Sequence, residues 1–348
     1  MIPGLPHTLP PADVTVHLRA ATPRLVTVGQ KEALLRRGES YGTLLTPESR
    51  PSAVQQEAYR GALARNGERI GALLAGLCAE LLRTYPGAVL VSLARGGTPV
   101  GCALRRLARR WGAELPHHTL SIIRGSGLDA AALAQVRDLH PGAPLIFIDG
   151  WTGKGSIFQT LQASLPPEVP PLLAVLSDPA GAATHAATHD DLLLPHAALN
   201  ATVCGLLSRT FLDAQAPLHA ARIEEDLRGD DLTLPYLEAL DGLSAGYSPD
   251  FRLQAGPRPA TPYAEVLAYA AELGVRDPHL VKPGVGEATR VFLRRRPAHL
   301  LLRDARHPDT RHLWELAAAA GVPASVYPAL PYLAAALIDS AGRSGDPL

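Results

Sequence analysis

The sequence predicts an α/β protein of two domains, the larger built on a parallel sheet flanked by helices. Three observations predict it. A chain of 348 residues exceeds one ordinary core. Between residues 88 and 177 short apolar runs alternate with helical patterns, and such repetition builds parallel sheets covered on both faces. After a stretch rich in Pro, Asp and Gly, a second and shorter series of helix and strand patterns begins near residue 263.

In chain order, residues 1–50 hold several prolines and no sustained periodicity, and read as an irregular arm. The larger domain is expected over 51–215. It opens with one long helix, or two, over 51–85, with Ile70, Leu73, Leu74, Leu77, Leu81 and Leu82 at helical spacing and Pro86-Gly87 as the stop. Strands are expected at 88–93, 119–123, 145–148 and 172–177, each apolar and short. Helices are expected between them at 98–111, 129–138 and 154–165. Residues 216–262 have weaker periodicity and read as a linker or hood, ending at Gly256-Pro257-Arg258-Pro259. The last unit, 263–348, is expected to be a small α/β/α sandwich: helices at 263–273, 287–294, 310–320 and 332–338, strands at 299–302 and 324–327.

Composition narrows the function. Lys+Arg and Asp+Glu balance at 33 each, so no global field draws the chain to nucleic acid or membrane, and any such affinity needs a local basic face. Arginines do cluster at 105–110 and 290–296. The three cysteines, Cys78, Cys102 and Cys204, have no Cys-x-x-Cys spacing, which argues against a zinc knuckle or a disulfide framework. No apolar run reaches membrane-spanning length, and a cytoplasmic protein is expected.

The most informative segment runs from Ile148 to Ser156. An apolar strand delivers Asp149, and Thr152-Gly153-Lys154-Gly155-Ser156 then opens a helix. Glycines let backbone amides converge on an anion, the helix N-terminus adds partial positive charge, and Thr152, Lys154 and Ser156 add hydroxyls and an ammonium. A carboxylate before such a loop suits ribose hydroxyls or a magnesium ion. The glycine spacing excludes a Walker A loop and a dinucleotide fingerprint. Upstream, Arg95, Gly96, Gly97 and Thr98 leave the first core strand, and together could neutralise a diphosphate.

These two loops resemble the PRPP loop and the pyrophosphate loop of type I phosphoribosyltransferases. Where most members carry a second acid, this chain has Gly150 and then Trp151. The chain resembles more closely a family encoded near tellurium-resistance (ter) genes, sometimes labelled StiP-type, in which a phosphoribosyltransferase-like domain is fused to a Pelota-type RNA-binding domain. The similar stretches are 40–42, 91–101, 121–124, 148–157 and 190–210 together with the C-terminal unit, most of the chain from residue 40. The resemblance implies Mg2+-dependent phosphoribosyl transfer from PRPP or a nucleotide-like compound: Asp149 on the ribose or, indirectly, the metal, residues 152–156 on the 5′-phosphate, and Arg95 to Thr98 on the leaving group. It also implies a role in ter-linked stress response. Arg124, in a glycine turn at a strand end, and Arg209 are further substrate candidates. The alternative is a non-catalytic nucleotide- or RNA-binding protein.

Relatives have also been labelled cysteine proteases. The residues lend this little support: Cys78 lies in an apolar helix pattern and no His has a recognisable partner motif, whereas a thiol nucleophile needs a base and a lowered pKa. In the C-terminal unit Lys282, Gly284, Glu287 and Arg290 form a glycine turn entering a helix. This is similar to the motif with which Pelota and kink-turn-binding ribosomal proteins grip structured RNA.

Overall fold

The computed structural model describes residues 5–213, 216–260, 262–295 and 297–338. Six parallel strands form the main sheet in the spatial order Thr15–Val16, His117–Ile123, Val89–Ala94, Leu145–Trp151, Leu173–Ser177 and His185–Thr188. Gly127–Leu128 folds back antiparallel on His117–Ile123. Strand residues alternate between two cores, as period-2 geometry requires. On the Val89–Ala94 strand, Leu90 packs beneath the long helix Ala53–Thr84 and the helix Thr98–Arg110. Val89, Val91 and Leu93 pack beneath the helices Ala130–Leu139 and Ser156–Ser164. The expected parallel sheet with helices on both faces is therefore present.

The long helix is a single helix of 32 residues, started by a capping box between Ser52 and Gln55. The first fifty residues are woven into the larger unit. Thr15–Val16 extends the main sheet, Arg19–Ala20 pairs with Ala220–Ala221, and Arg24–Leu25 pairs with Leu44–Leu45. Residues 216–262 contain a helix that the weak periodicity did not disclose, Thr233–Ser244, which packs on the long helix and on Thr98–Arg110. Its approach is close: a Cβ on Gly71 would stand 2.1 Å from the backbone oxygen of Leu243.

The C-terminal unit is a four-stranded sheet in the order Val281–Pro283, Ala334–Ile338, Pro297–Leu302, Ala324–Val326. The helix Pro262–Glu272 covers one face, and the helices Val285–Arg294 and Arg311–Ala319 cover the other. The helix expected at 332–338 is instead the strand Ala334–Ile338, hydrogen-bonded antiparallel to strands on both sides. All five of its residues are buried, so both its faces are apolar and no alternation marks it as a strand. Residues 339–348 of the expected unit 263–348 lie outside the described residues. Val281–Pro283 also escaped notice, since a three-residue edge strand ending in Pro has no period to read.

One apolar cluster runs unbroken from the long helix through Leu192, Leu193 and Leu194 into Val285, Ala288, Val291 and Leu313 of the C-terminal unit. An interface of this kind holds two units as one body. Two substitutions test the packing. Gly71→Ala is expected to lower unfolding free energy by about 2–3 kcal/mol, because backbone must move. Gly242→Ala, whose Cβ would meet nothing within 4 Å, is expected to raise it by about 0.5–1 kcal/mol through helix propensity. Urea unfolding monitored by circular dichroism measures both.

Candidate functional site

The chain passes from Val89–Ala94 to His117–Ile123 on one side, then returns to Leu145–Trp151 on the other. Such a reversal opens a crevice at the carboxyl ends of the two diverging strands, and ligands of open α/β sheets sit there. Both predicted loops, 95–97 and 152–155, flank this point. The sequence located the crevice; the structure shows how it is filled.

Arg95 is turned inward. Its guanidinium is 6% exposed, ion-paired with Glu48, and donates to the Leu207 carbonyl at 2.6 Å. Gly97 is pressed against the neighbouring strand, where a Cβ would lie 2.0 Å from the Ile148 oxygen. The Thr98 hydroxyl is 3.1 Å from that of Thr119. Asp149 accepts the Gly150 amide at 2.8 Å, and burial pushes its carboxyl up to about 6 against the opposing pull of Arg290.

The second loop is engaged in the same way. Thr152 donates its hydroxyl to Asp178, a fully buried carboxylate that also accepts the amides of Ala182 and Ala183. The Gly153 carbonyl accepts from the Tyr332 hydroxyl at 2.8 Å. Lys154 donates to the Pro278 carbonyl at 2.6 Å; burial, then Lys282 and Arg124, lower its ammonium to about 8. Gly155 takes φ +78° ahead of Ser156, the first residue of the following helix. Arg124 donates to His279 and Arg209 to the Leu44 carbonyl.

The C-terminal unit supplies the cover. Arg290 lies 4.2 Å from the Trp151 ring centre, and its Nη2 stands 3.0 Å from where a Gly96 Cβ would be. Glu287 and Pro283 lie against Gly153, and Gly286 against Trp151. Beside them, the half-buried Asp191 carboxylate accepts the amides of Val285 at 3.0 Å and Leu333 at 2.8 Å. Gly284, at φ +96°, bends the chain into that helix. The predicted RNA-gripping face, Lys282, Gly284, Glu287 and Arg290, is thus at the seam with the larger unit.

Beneath the cover lies a group that sequence reasoning did not assemble. His196 is 2% exposed, stacks 5.5 Å from Trp151, and its Nδ1 is 2.8 Å from the Tyr236 hydroxyl. Burial lowers its imidazole to about 3, so it is neutral. Cys204, in the turn after Ala201–Val203, places its Sγ 3.6 Å from the Arg95 carbonyl, with the Arg95 guanidinium and Tyr236 within electrostatic reach. The turn is unusual: Leu206 has φ +58°, a strained value for a non-glycine residue. Cys78 and Cys102 differ, being enclosed in helices with thiols that burial raises, Cys78 to about 12. Only proximity in space joins residues 95, 196, 204 and 236, so no local motif could have signalled them.

Comparisons place this geometry among known proteins. The model of a family described as the tellurite-like stress resistance cysteine protease StiP matches residues 7–241, and that of the PELOTA RNA binding domain matches 260–340. The protein named cysteine protease StiP from Acinetobacter baylyi is 31% identical over 365 residues, covering 95% of this chain and 93% of that one. Among solved structures, L-threonine transaldolase from Pseudomonas fluorescens aligns with a TM-score of 0.20 at 14% identity, over 70% of this chain and 55% of that one. That likeness is too slight to carry an argument.

These matches overturn the phosphoribosyltransferase reading: the family and its relative are named as cysteine proteases, a different enzyme class. The transferase, PRPP and magnesium expectations fall with it, and the non-catalytic alternative gains no better support. Among the described residues no three His, Cys, Asp or Glu side chains are grouped to hold a metal, and no helix is long and apolar enough to cross a membrane.

Burial of titratable groups sets a pH dependence. His117 and His196 are lowered to about 3, and His118 and His312 to about 4. Stability from such depressed imidazoles is present above their unfolded value of about 6.5 and is lost as pH falls towards 4. Asp149 and Asp191, raised to about 6 and about 7, act oppositely over about pH 4–7. Four groups outweigh two, so melting temperature is expected to fall from pH 7 to pH 4.5. Scanning fluorimetry checks this; a rising profile contradicts it.

Proposed function

The chain belongs to the StiP family, with a Pelota RNA-binding domain at its C-terminal end, and we propose that it is a cysteine-dependent peptidase whose nucleophile is Cys204. What supports this reading is the position of Cys204 at the carboxyl end of the sheet, its Sγ 3.6 Å from the Arg95 carbonyl and the Arg95 guanidinium within electrostatic reach. A neighbouring guanidinium favours thiolate over thiol, and thiolate is the attacking species. Cys78 has no such charge beside it, and at Cys102 burial and Asp13 outweigh the pull of Arg106 and Arg105, so its thiol is raised.

The reaction follows from this setting. The Cys204 sulfur bonds to the scissile carbonyl carbon, the C–N bond breaks, and the leaving amine takes the proton that Cys204 gives up. Water then cleaves the thioester, releasing the acid and restoring the thiol. In this scheme Arg95, sought as a diphosphate ligand, becomes the counter-charge to the nucleophile. The scaffold itself we read as type I phosphoribosyltransferase-like, supported by the order of its strands and two glycine loops at the switch point.

Hydrolysis of fluorescein-labelled casein tests the assignment. Cys204→Ala is expected to reduce the rate by about a thousandfold, and Cys204→Ser nearly as much, at unchanged melting temperature. Cys78→Ala is expected to retain activity. Wild-type hydrolysis by Cys204→Ala sinks the proposal.

RNA contact by the C-terminal unit is proposed on its family match. With Glu287 at the seam against Gly153, Glu287→Ala is expected to leave affinity for a kink-turn hairpin within about twofold, the contact being made elsewhere on the unit. Mobility shift at two salt concentrations checks this, and a tenfold loss assigns the contact to the seam face.

A further inference from the structure

The seam between the units also encloses a polar cleft of about 460 Å3, a volume suited to a small metabolite. Its walls come from both units: the long helix contributes Arg65, Asn66 and Arg69, and the C-terminal unit contributes Arg303 and His307. It lies apart from the Cys204 centre, and no step proposed above uses it.

The hydrogen bonding of the cleft is unbalanced towards donors. Its carboxylates are already occupied. Asp309, 5% exposed, accepts from Arg65 Nη2 at 2.9 Å and Asn66 Nδ2 at 2.8 Å. Asp190 is ion-paired with Arg69, and Asp191 accepts backbone amides. Arg303 has no hydrogen-bonded or ion-paired carboxylate among the described residues, although its charge acts on Asp191. His307 Nδ1 accepts the Asp309 amide at 3.2 Å, which puts the proton of the neutral ring on Nε2. His189 Nδ1 is 3.1 Å from the Asp178 carbonyl and so carries its proton there, leaving Nε2 as an acceptor. Among the described residues, the Arg303 guanidinium and the His307 imidazole, both on the C-terminal wall, thus have no carboxylate to receive them, while the His189 imidazole on the larger unit's wall stands ready to accept from a hydroxyl.

We propose that this cleft binds a phosphate monoester of mononucleotide size, its phosphate held by Arg303 and His307 and its hydroxyl-bearing remainder by His189. Guanidinium forks match phosphate oxygens in pairs, and a cleft this large accommodates more than a lone carboxylate. The same chemistry is offered by a free mononucleotide and by the 5′-terminal phosphate of an RNA. Because the walls belong to different units, the ligand binds only the docked arrangement and stabilises it by linkage.

Calorimetric titration of the full chain with AMP, adenosine and inorganic phosphate, and with a trinucleotide RNA bearing or lacking a 5′-phosphate, tests the proposal. AMP is expected to bind and adenosine to bind at least about tenfold more weakly. Arg303→Ala is expected to weaken AMP about tenfold, with partial recovery in Arg303→Lys. Arg311→Ala, an 83% exposed arginine paired with Glu315, leaves binding unchanged. Tighter binding of the 5′-phosphorylated trinucleotide than of AMP identifies RNA ends as the source, and the reverse identifies free nucleotide. Binding of none of these at about 10 mM overturns the proposal, as does an AMP affinity that Arg303→Ala leaves within twofold. Because Arg303 is partly exposed and holds no carboxylate among the described residues, Arg303→Ala keeps the fold, which an unchanged melting temperature without ligand verifies.

Discussion

Where the two units meet, the Asp191 carboxylate accepts the amides of Val285 and Leu333. Val285 begins a helix, whose first amides have no partner within it, and a buried amide without an acceptor costs roughly 1–3 kcal/mol. The larger unit therefore terminates a helix of the smaller one. Around this point the apolar cluster runs through both units, and Asn66 and Arg65 hold Asp309 on the far side. The position of the C-terminal unit follows from these contacts, and so does everything at the carboxyl ends of the main sheet.

Docking changes what the glycine loops can do. In an open α/β sheet, loops such as 95–97 and 152–155 face solvent and await an anion. Here Arg290, Glu287 and Gly286 press against Gly96, Gly153 and Trp151. Tyr332 caps the Gly153 carbonyl, and Arg95 turns down to Glu48. The loops have the chemistry of phosphate binding in their residue types, yet the side chains of Arg95, Thr152 and Lys154 are spent on Glu48, Asp178 and the Pro278 carbonyl. The reactive candidates lie one layer deeper, where Cys204, Arg95, Tyr236 and His196 meet.

Much of the scaffold was legible beforehand because it rests on local rules. Apolar runs separated by helical spacing marked the strands Val89–Ala94, His117–Ile123, Leu145–Trp151 and Leu173–Ser177, and the capped periodic stretch marked the helix Ala53–Thr84. The errors have different causes. Ala334–Ile338 is apolar on both faces, so it has no period, and only its pairing with two strands makes it a strand. Thr233–Ser244 buries one face, at Thr233, Tyr236, Leu237, Leu240 and Ser244, but that face includes two hydroxyl residues while Leu234 is exposed, so its hydropathy pattern is blurred.

By itself, the sequence determined the α/β architecture with its parallel sheet and the two glycine loops at strand ends. All of these are encoded by neighbours in the chain, through periodicity, turns and caps. Tertiary structure alone decided which groups are available for chemistry. Arg95 lies near the first loop in sequence, but its partner Glu48 is 47 residues away and Cys204 is 109 away. Burial, unlike propensity, is set by whatever lands on top. The C-terminal helix covering Asp149 and Trp151 raises one carboxyl, neutralises one histidine and closes one crevice, and no pattern within either segment announces that they meet.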